Sequence, residues 1–171
     1  MKTNSGEHTA RPKGSSLRWT LSEGETGATV VEFAGEINEN AELAPLKMQL
    51  RGDVVFRLDG ITRINSCGVR EWVRFVRDLP QVDKLRFSHC SPAIVNQLNT
   101  IYNFRGGARV RSLMAPYVCE RCGIEEYKLI ELDERISDPA RLVPSFNCPR
   151  CQSPMEFDDL PERYLSFLKE A

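Results

Sequence analysis

Residues 54–76, VVFRLDGITRINSCGVREWVRFV, change from a strand pattern to a helix pattern within a few positions. The first half is rich in β-branched and apolar residues and predicts a central strand that bends around Gly60. Apolar side chains then recur at helical spacing and form one stripe: Val69, Trp72, Val73 and Val76. We therefore expect a helix that begins just after Gly68 and carries Trp72 into the core.

The flanking segments continue this alternation of strands and helices. Strands are predicted at 17–24, 28–35, 84–90 and 108–114, and helices at 40–50 and from Ser91 to about residue 101. Ser91 followed by Pro92 is typical of a helix N-cap and first helical position. The order β-β-α-β-α-β-α-β predicts an α/β fold in which helices cover a small mixed sheet.

Composition and charge indicate the cellular location that we expect. It has 171 residues with a net charge of −1, and no apolar run approaches the ~20 residues that a membrane-spanning helix needs. Residues 1–16 are polar, predict a disordered tail and carry no apolar signal segment. We expect a cytoplasmic protein without membrane contact, in which cysteines serve as metal ligands or buried thiols rather than in disulfides.

Four of the six cysteines form two C-x-x-C pairs, CERCG and CPRCQ, with 25 residues between the pairs. Two such turns supply a tetrahedral set of thiolates, which is typical of one structural zinc ion. The expected ligands are Cys119, Cys122, Cys148 and Cys151. A mononuclear iron site and disulfides are the alternatives. Residues 118–171 are thus predicted to form a zinc-ribbon module that ends in a helix.

The charge of this C-terminal part bears on its partners. Residues 119–171 contain 7 Lys and Arg against 12 Asp and Glu. Phosphate-backbone binding requires clustered cations, so nucleic acid is an unfavoured partner. A nucleic-acid-binding or transcription accessory role through the ribbon remains the alternative function.

Ser66 and Cys67 raise the question of catalysis, and we expect no enzymatic activity. The G-x-S-x-G pattern of a nucleophile elbow fails because position 64 is Ile64. A serine or cysteine nucleophile also needs a base, and the chain has only His8 and His89. An enzyme that uses Cys67 is kept as a third hypothesis. A serine hydroxyl or an asparagine amide before a helix can cap it, and a phosphate there is stabilised by the helix dipole.

Three blocks together resemble the STAS domain, the fold of bacterial anti-sigma factor antagonists. They are VVEFAGEINENAEL at 30–43, VVFRLDGITRINSCGVREWV at 54–73 and LRFSHCSPAIVNQLNTIYNF at 85–104. The resemblance covers residues 17–117 and implies a STAS-like mixed sheet packed by helices. The four-cysteine module departs from the family and stands either as an insertion ahead of the last helix or as a separate domain.

The resemblance also implies a function. In the family, the serine of an Asp-Ser-Ser/Thr-Gly turn is phosphorylated by a partner kinase, and that position is Ser66 here. Asn65 replaces the family's aspartate and Cys67 replaces the second hydroxyl residue, whereas Gly68 is retained. We expect a signalling module that binds a regulatory protein, such as a serine kinase, an anti-sigma factor or a sigma-related protein. The residues expected to form the partner surface are Asn65, Ser66, Cys67, Gly68, Arg70 and Arg74.

Overall fold

The structure is a computed structural model that describes residues 8–10, 16–24, 26–133 and 138–170. Within these ranges, the first of two sheets has six strands in chain order: β1 His8–Ala10, β2 Leu17–Glu23, β3 Thr29–Ile37, β4 Gly52–Ile64, β5 Val82–Ser88 and β6 Arg109–Val110. The pairs β1–β2 and β2–β3 are antiparallel, and the pairs from β3 to β6 are parallel. This mixed sheet with connecting helices confirms the α/β prediction.

The parallel strands are joined by helices that cover one face of the sheet. These are α1 Ala44–Lys47, α2 Ser66–Arg77 and α3 Pro92–Thr100. Crossovers between adjacent parallel strands are right-handed, so successive ones place their helices on the same side. Side chains alternate accordingly: Phe56 on β4 is buried beneath the helices, whereas its neighbour Arg57 points to the opposite, open face and remains partly exposed.

Trp72 of α2 lies at the centre of the core, as its place in the apolar stripe predicts. It is fully buried. Its ring centroid lies 5.6 to 5.9 Å from those of Phe33, Phe56, Phe75, Phe87 and Phe104. Aromatic pairs at such distances stabilise a core beyond the area that they bury. The rings come from β3, β4, α2, β5 and the segment after α3, so this cluster connects the layers.

The predicted bend at Gly60 is an irregularity in the pairing of β4 with β3. The register advances two residues on β3, from Glu32 to Ala34, while β4 advances three, from Arg57 to Gly60. A Cβ on Gly60 would lie 2.4 Å from the Phe33 carbonyl oxygen, so the bend depends on glycine. The strand remains continuous through the bulge and ends at the turn before α2.

The second sheet is antiparallel and lies in the C-terminal part. In the described ranges its strands follow the order β8-β7-β10-β9, with β7 Ser112–Val118, β8 Glu125–Glu131, β9 Phe146–Asn147 and β10 Pro154–Phe157. A short 3₁₀ helix, Pro139–Leu142, precedes β9. Tyr117 on β7 packs edge to face against Phe146 and Phe157, at 4.9 and 5.6 Å.

The strand predicted over 108–114 is found as two strands, β6 and β7, which are interrupted at Arg111 and pair mainly in different sheets. β6 pairs with β5, the Arg111 N–H donates to the Phe87 carbonyl at 2.8 Å, and β7 then pairs with β8. β7 extends to residue 118 and therefore crosses the boundary expected between residues 117 and 118. Alternation of side chains predicts an extended chain but does not identify its partner.

The predicted terminal helix is present as two short pieces, α4 Pro161–Tyr164 and a 3₁₀ helix, Ser166–Glu170. Asn99 on α3 joins this segment to the first layer. Its amide donates to the Tyr164 carbonyl at 3.0 Å, and its side-chain oxygen accepts from the Phe167 N–H and the Ser166 hydroxyl, both at 2.9 Å. The second sheet is thus inserted between β6 and a terminal segment that returns to α3.

The predicted tail, 1–16, is described only in part. Residues 1–7 and 11–15 lie outside the described residues, and His8–Ala10 pairs with β2 as strand β1. The Ser16 hydroxyl donates to the Asn38 side-chain oxygen at 2.6 Å. Ser16 is therefore held at the loop that follows β3.

Gly68 provides a test of how closely α2 packs against the end of β3. A Cβ there would lie 1.9 Å from the Ile37 carbonyl oxygen, whereas a Cβ on Gly107 would meet nothing within 4 Å. We expect Gly68→Ala to lower the free energy of unfolding by about 3 kcal/mol or more, because neither backbone segment can withdraw without breaking its hydrogen bonds. Gly107→Ala is the matched control and should change it by less than about 1 kcal/mol. Urea unfolding of both variants checks this, and equal effects would contradict the described seating.

Candidate functional site

The four predicted ligands meet at one point between the ends of the second sheet. Cys119 follows β7 and Cys148 follows β9, while Cys122 and Cys151 lie in the turns that come next. All four Sγ atoms lie within 4.8 Å of one another. The Cys119–Cys151 and Cys122–Cys148 sulfur pairs are both 3.5 Å apart. Zinc–sulfur bonds of ~2.3 Å in a tetrahedron place sulfur atoms about 3.8 Å apart, so the cluster has the dimensions to hold a metal ion.

The two turns have the same backbone construction. The Cys119 N–H donates to the Ile124 carbonyl at 2.9 Å, and the Gly123 N–H donates to the Cys119 carbonyl at 2.8 Å. The second turn repeats both bonds with Cys148, Ser153 and Gln152, at 2.8 and 2.9 Å. This repeat presents each pair of sulfur atoms from one side of a tight loop.

Both turns also pass through the left-handed region at the residue after the second cysteine. The φ angle is 71° at Gly123 and 60° at Gln152. Glycine adopts this conformation without steric cost, whereas a residue with a Cβ does not. The second turn therefore holds its ligands with a strained residue where the first uses glycine.

The surroundings of the sulfur atoms shift the pKa values of two thiols in opposite directions. The Ser153 N–H and hydroxyl donate to Cys151 and lower the pKa of its thiol to about 6. The Ile124 N–H acts in the same direction on Cys122, but burial and the three neighbouring thiols outweigh it and raise that pKa to about 11. Amide donors of this kind stabilise thiolates, which are the form that binds a metal.

Burial limits what the cluster can do chemically. Cys119 and Cys148 are fully buried, and Cys122 and Cys151 are partly exposed. Four protein thiolates complete a tetrahedral shell and leave no position for a water or substrate, as in structural rather than catalytic sites. The arrangement suits a metal that ties two loops together.

The turn before α2 is the second candidate site. The structure corrects the residue at which α2 was expected to begin. The helix begins at Ser66 rather than after Gly68, and its N-cap is Asn65, whose side-chain oxygen accepts from the Gly68 N–H at 2.8 Å. Of the two capping groups that the sequence allows, the amide is the one used. The Ser66 hydroxyl is thereby left for other contacts, and its residue is exposed.

Asn65 also joins this turn to the loop after β3. Its amide donates to a Glu39 carboxylate oxygen at 2.7 Å, and its backbone N–H donates to the Ile37 carbonyl at 3.2 Å. The hydrogen bond from Asn65 lowers the pKa of Glu39 from its ordinary value of 4.5. Asparagine can bridge the two loops because it accepts with one atom and donates with the other.

The remaining predicted partner residues divide into exposed and buried ones. Ser66, Cys67, Arg70 and Arg74 are exposed. Arg70 and Arg74 both lie beside Glu71, at 3.4 and 3.1 Å, with 64% and 61% of their side chains exposed. Gly68 is buried, and the close approach that it permits is made by Ile37 of the same chain.

Sequence reasoning missed several residues that shape both sites. Glu39 carries no motif that links it to Asn65, and only the parallel pairing of β3 with β4 brings them together. The residues that follow the second cysteine of each turn could have been found from the sequence, because CERCGI and CPRCQS align residue by residue. That alignment places Gly123 opposite Gln152 and Ile124 opposite Ser153.

The Asn65–Glu39 contact generates a prediction about replacing Asn65 by aspartate. Asn65→Asp keeps a capping oxygen but places a second carboxylate against Glu39. At neutral pH the variant should therefore unfold at a lower temperature than wild type. Adding Glu39→Gln restores a donor and should recover most of the loss. The loss should also shrink towards acidic pH, where one of the two facing carboxylates takes up a proton. Equal midpoints for wild type and Asn65→Asp across this pH range would contradict the contact.

The unequal turns generate a second prediction. Gly123→Ala should lower the free energy of unfolding of the metal-loaded protein by about 1 kcal/mol, because alanine is strained at positive φ even with open space around it. Gln152→Gly removes that strain at the equivalent place and should be neutral or slightly stabilising. Denaturant midpoints of the pair decide this, and destabilisation by Gln152→Gly would argue for a role of the glutamine side chain.

No family model, no curated protein and no solved structure matches the chain. Among the described residues, no helix is long and apolar enough to cross a membrane.

Proposed function

We propose that this protein is a non-enzymatic cytoplasmic regulatory module of the STAS type, which binds a signalling protein through the start of α2. The observation that carries the proposal is the exposed Ser66 in the first turn of a 12-residue helix, directly after the central strand β4. The partner class that fits is a serine kinase of the anti-sigma factor type or a related regulatory protein.

The position of this turn in the sheet supports the proposal. It lies at the carboxyl end of a parallel strand, beside the loop that follows the neighbouring strand β3. Loops at this edge of an open α/β sheet are where such folds place their binding sites. Asn65, Ile37 and Glu39 fix the backbone of both loops, so the exposed side chains are presented on a rigid support.

The chemistry of Ser66 supports a regulatory modification. Its hydroxyl does not cap the helix, since Asn65 does. A phosphate on Ser66 would sit at the positive end of the α2 dipole, near N–H groups of the first turn. Arg70 lies one turn further on and is exposed, whereas Glu39 opposes added negative charge from the neighbouring loop. Phosphorylation would thus add about two negative charges to the surface that a partner meets.

We further propose that the four-cysteine cluster holds one structural zinc ion. Thiolates at these spacings favour zinc, and a closed shell stabilises a small module that has few strands. The reducing cytoplasm keeps such thiols free for metal binding. Fixing the two turns would hold the second sheet in a single arrangement against α3 and the terminal segment.

Partner binding is tested by affinity capture from cells of the source organism. We expect wild type to retain a kinase-like, phosphatase-like or sigma-related protein and Ser66→Glu to change its recovery at least about tenfold, since a charge within an interface alters affinity on this scale. Ser22→Glu is the matched control, because Ser22 is exposed on β2, away from the turn. Capture of no such protein, with identical recoveries for wild type and Ser66→Glu, would contradict the proposal.

Metal content is tested on the purified chain. We expect one zinc per chain in wild type and loss of stoichiometric zinc in Cys119→Ser, with faster amide exchange throughout β7 to β10. Binding of this kind contributes about 10 kcal/mol to folding a small module. Cys67→Ser is the control and should keep its zinc, because Cys67 is exposed and lies outside the cluster. A metal-free wild type whose second sheet stays folded in chelator would exclude a structural zinc.

A further inference from the structure

The open face of the first sheet has two halves that differ in charge. On β2 to β4 the side chains balance: Arg57 lies 3.1 Å from Asp59 and 3.4 Å from Glu32, and Arg18 lies nearby. On β4 to β6 the balance is lost. There, among the residues that the structure describes, four cations and one carboxylate, Asp83, line a cleft of about 730 Å³: the cations are Lys84, Arg86, Arg109 and Arg111.

Strand register explains why these cations meet. Arg86 on β5 is directly opposite Val55 on β4 and Arg109 on β6. Residues at alternate positions share a face, so Lys84 and Ser88 flank Arg86 on the same side of β5. The strands β5 and β6, with Arg111 directly after β6, therefore present guanidinium and ammonium groups to one space, and Ser88 also lines it.

Other groups of the chain contact these cations. Arg86 is 3.6 Å from Asp53, and Arg109 and Arg111 each interact with another group of the chain. Contacts of this kind at a surface contribute little and exchange readily with a ligand. Lys84, Arg109 and Arg111 are exposed, so a ligand in the cleft reaches their charged groups.

The remaining lining indicates the size and kind of ligand. Val55 gives the cleft an aliphatic surface, and Leu85, Thr26 and Gly107 also line it. A volume of about 730 Å³ is within the range of small-molecule sites. Arginine forks match phosphate oxygens with two parallel hydrogen bonds, and hydroxyls add further donors.

We infer that this cleft, lined by Lys84, Arg86, Ser88, Arg109 and Arg111, binds a phosphate-bearing small molecule of nucleotide size. The site lies on the face of the sheet opposite the helices, so it is distinct from both the four-cysteine cluster and the turn before α2. A ligand there would bridge β5 and β6, next to the point where the chain passes into the second sheet.

Calorimetric titration of the zinc-loaded full chain with pyrophosphate and with ADP at low salt tests this inference. We expect both to bind with one site per chain, and affinity to fall as salt is added. Arg86→Gln and Arg109→Gln should each weaken binding about tenfold or more, the usual cost of losing a charged hydrogen bond. Arg57→Gln, in the balanced half of the same face, is the matched control and should bind like wild type.

Urea unfolding of each variant verifies that it is folded, and Lys84→Gln replaces Arg86→Gln if that variant does not fold. Failure of both probes to bind would overturn the inference and leave the cations as charges that protect a short edge strand from aggregation. Equal weakening by Arg57→Gln would overturn it by showing general charge attraction. Binding of a single-stranded oligonucleotide with no binding of either small probe would also overturn it.

Discussion

The contact between the first turn of α2 and the end of β3 is the constraint on which the candidate partner surface depends. Gly68 is so close to the Ile37 carbonyl that no side chain fits between them. The same carbonyl accepts the Asn65 N–H, and the Asn65 side chain joins Gly68 to Glu39. These bonds fix the direction in which α2 leaves the sheet, and they bring Trp72 over the phenylalanine rings of the core.

Within four residues of this turn, some groups are used in contacts inside the chain and others are exposed to a partner. Asn65 and Gly68 are committed to backbone contacts inside the chain, whereas Ser66 and Cys67 between them are exposed. Asparagine suits this division, since an amide can both cap the helix and donate to Glu39. A partner would therefore meet a rigid surface that carries a single free hydroxyl and two arginines.

Much of this fold follows from local patterns, and the differences arise where distant segments meet. The apolar stripe around Trp72 and the C-x-x-C spacing predict the core and the cysteine cluster because both depend on neighbours along the chain. The exchange of sheets at Arg111 could not be predicted in this way, since β6 and β7 have equivalent strand patterns but different partners. Likewise, Glu39 and Asn65 are 26 positions apart, and the cations of the cleft come from β5, from β6 and from Arg111 after β6.

The second sheet extends this scaffold and is tied to it by the terminal segment. Asn99 bonds to three groups of that segment, and Tyr164 donates to the Met114 carbonyl at 2.7 Å, so the insertion is held at both its beginning and its end.

The most direct test of the central claim, a partner surface at the start of α2, is site-specific photo-crosslinking in cells of the source organism. A photoreactive residue at Arg70 or Arg74 should give one discrete adduct with a regulatory protein, and the same residue at Arg57 on the open face should not give that adduct. No adduct from α2, or the same adduct from all three positions, would contradict a partner surface at the start of this helix.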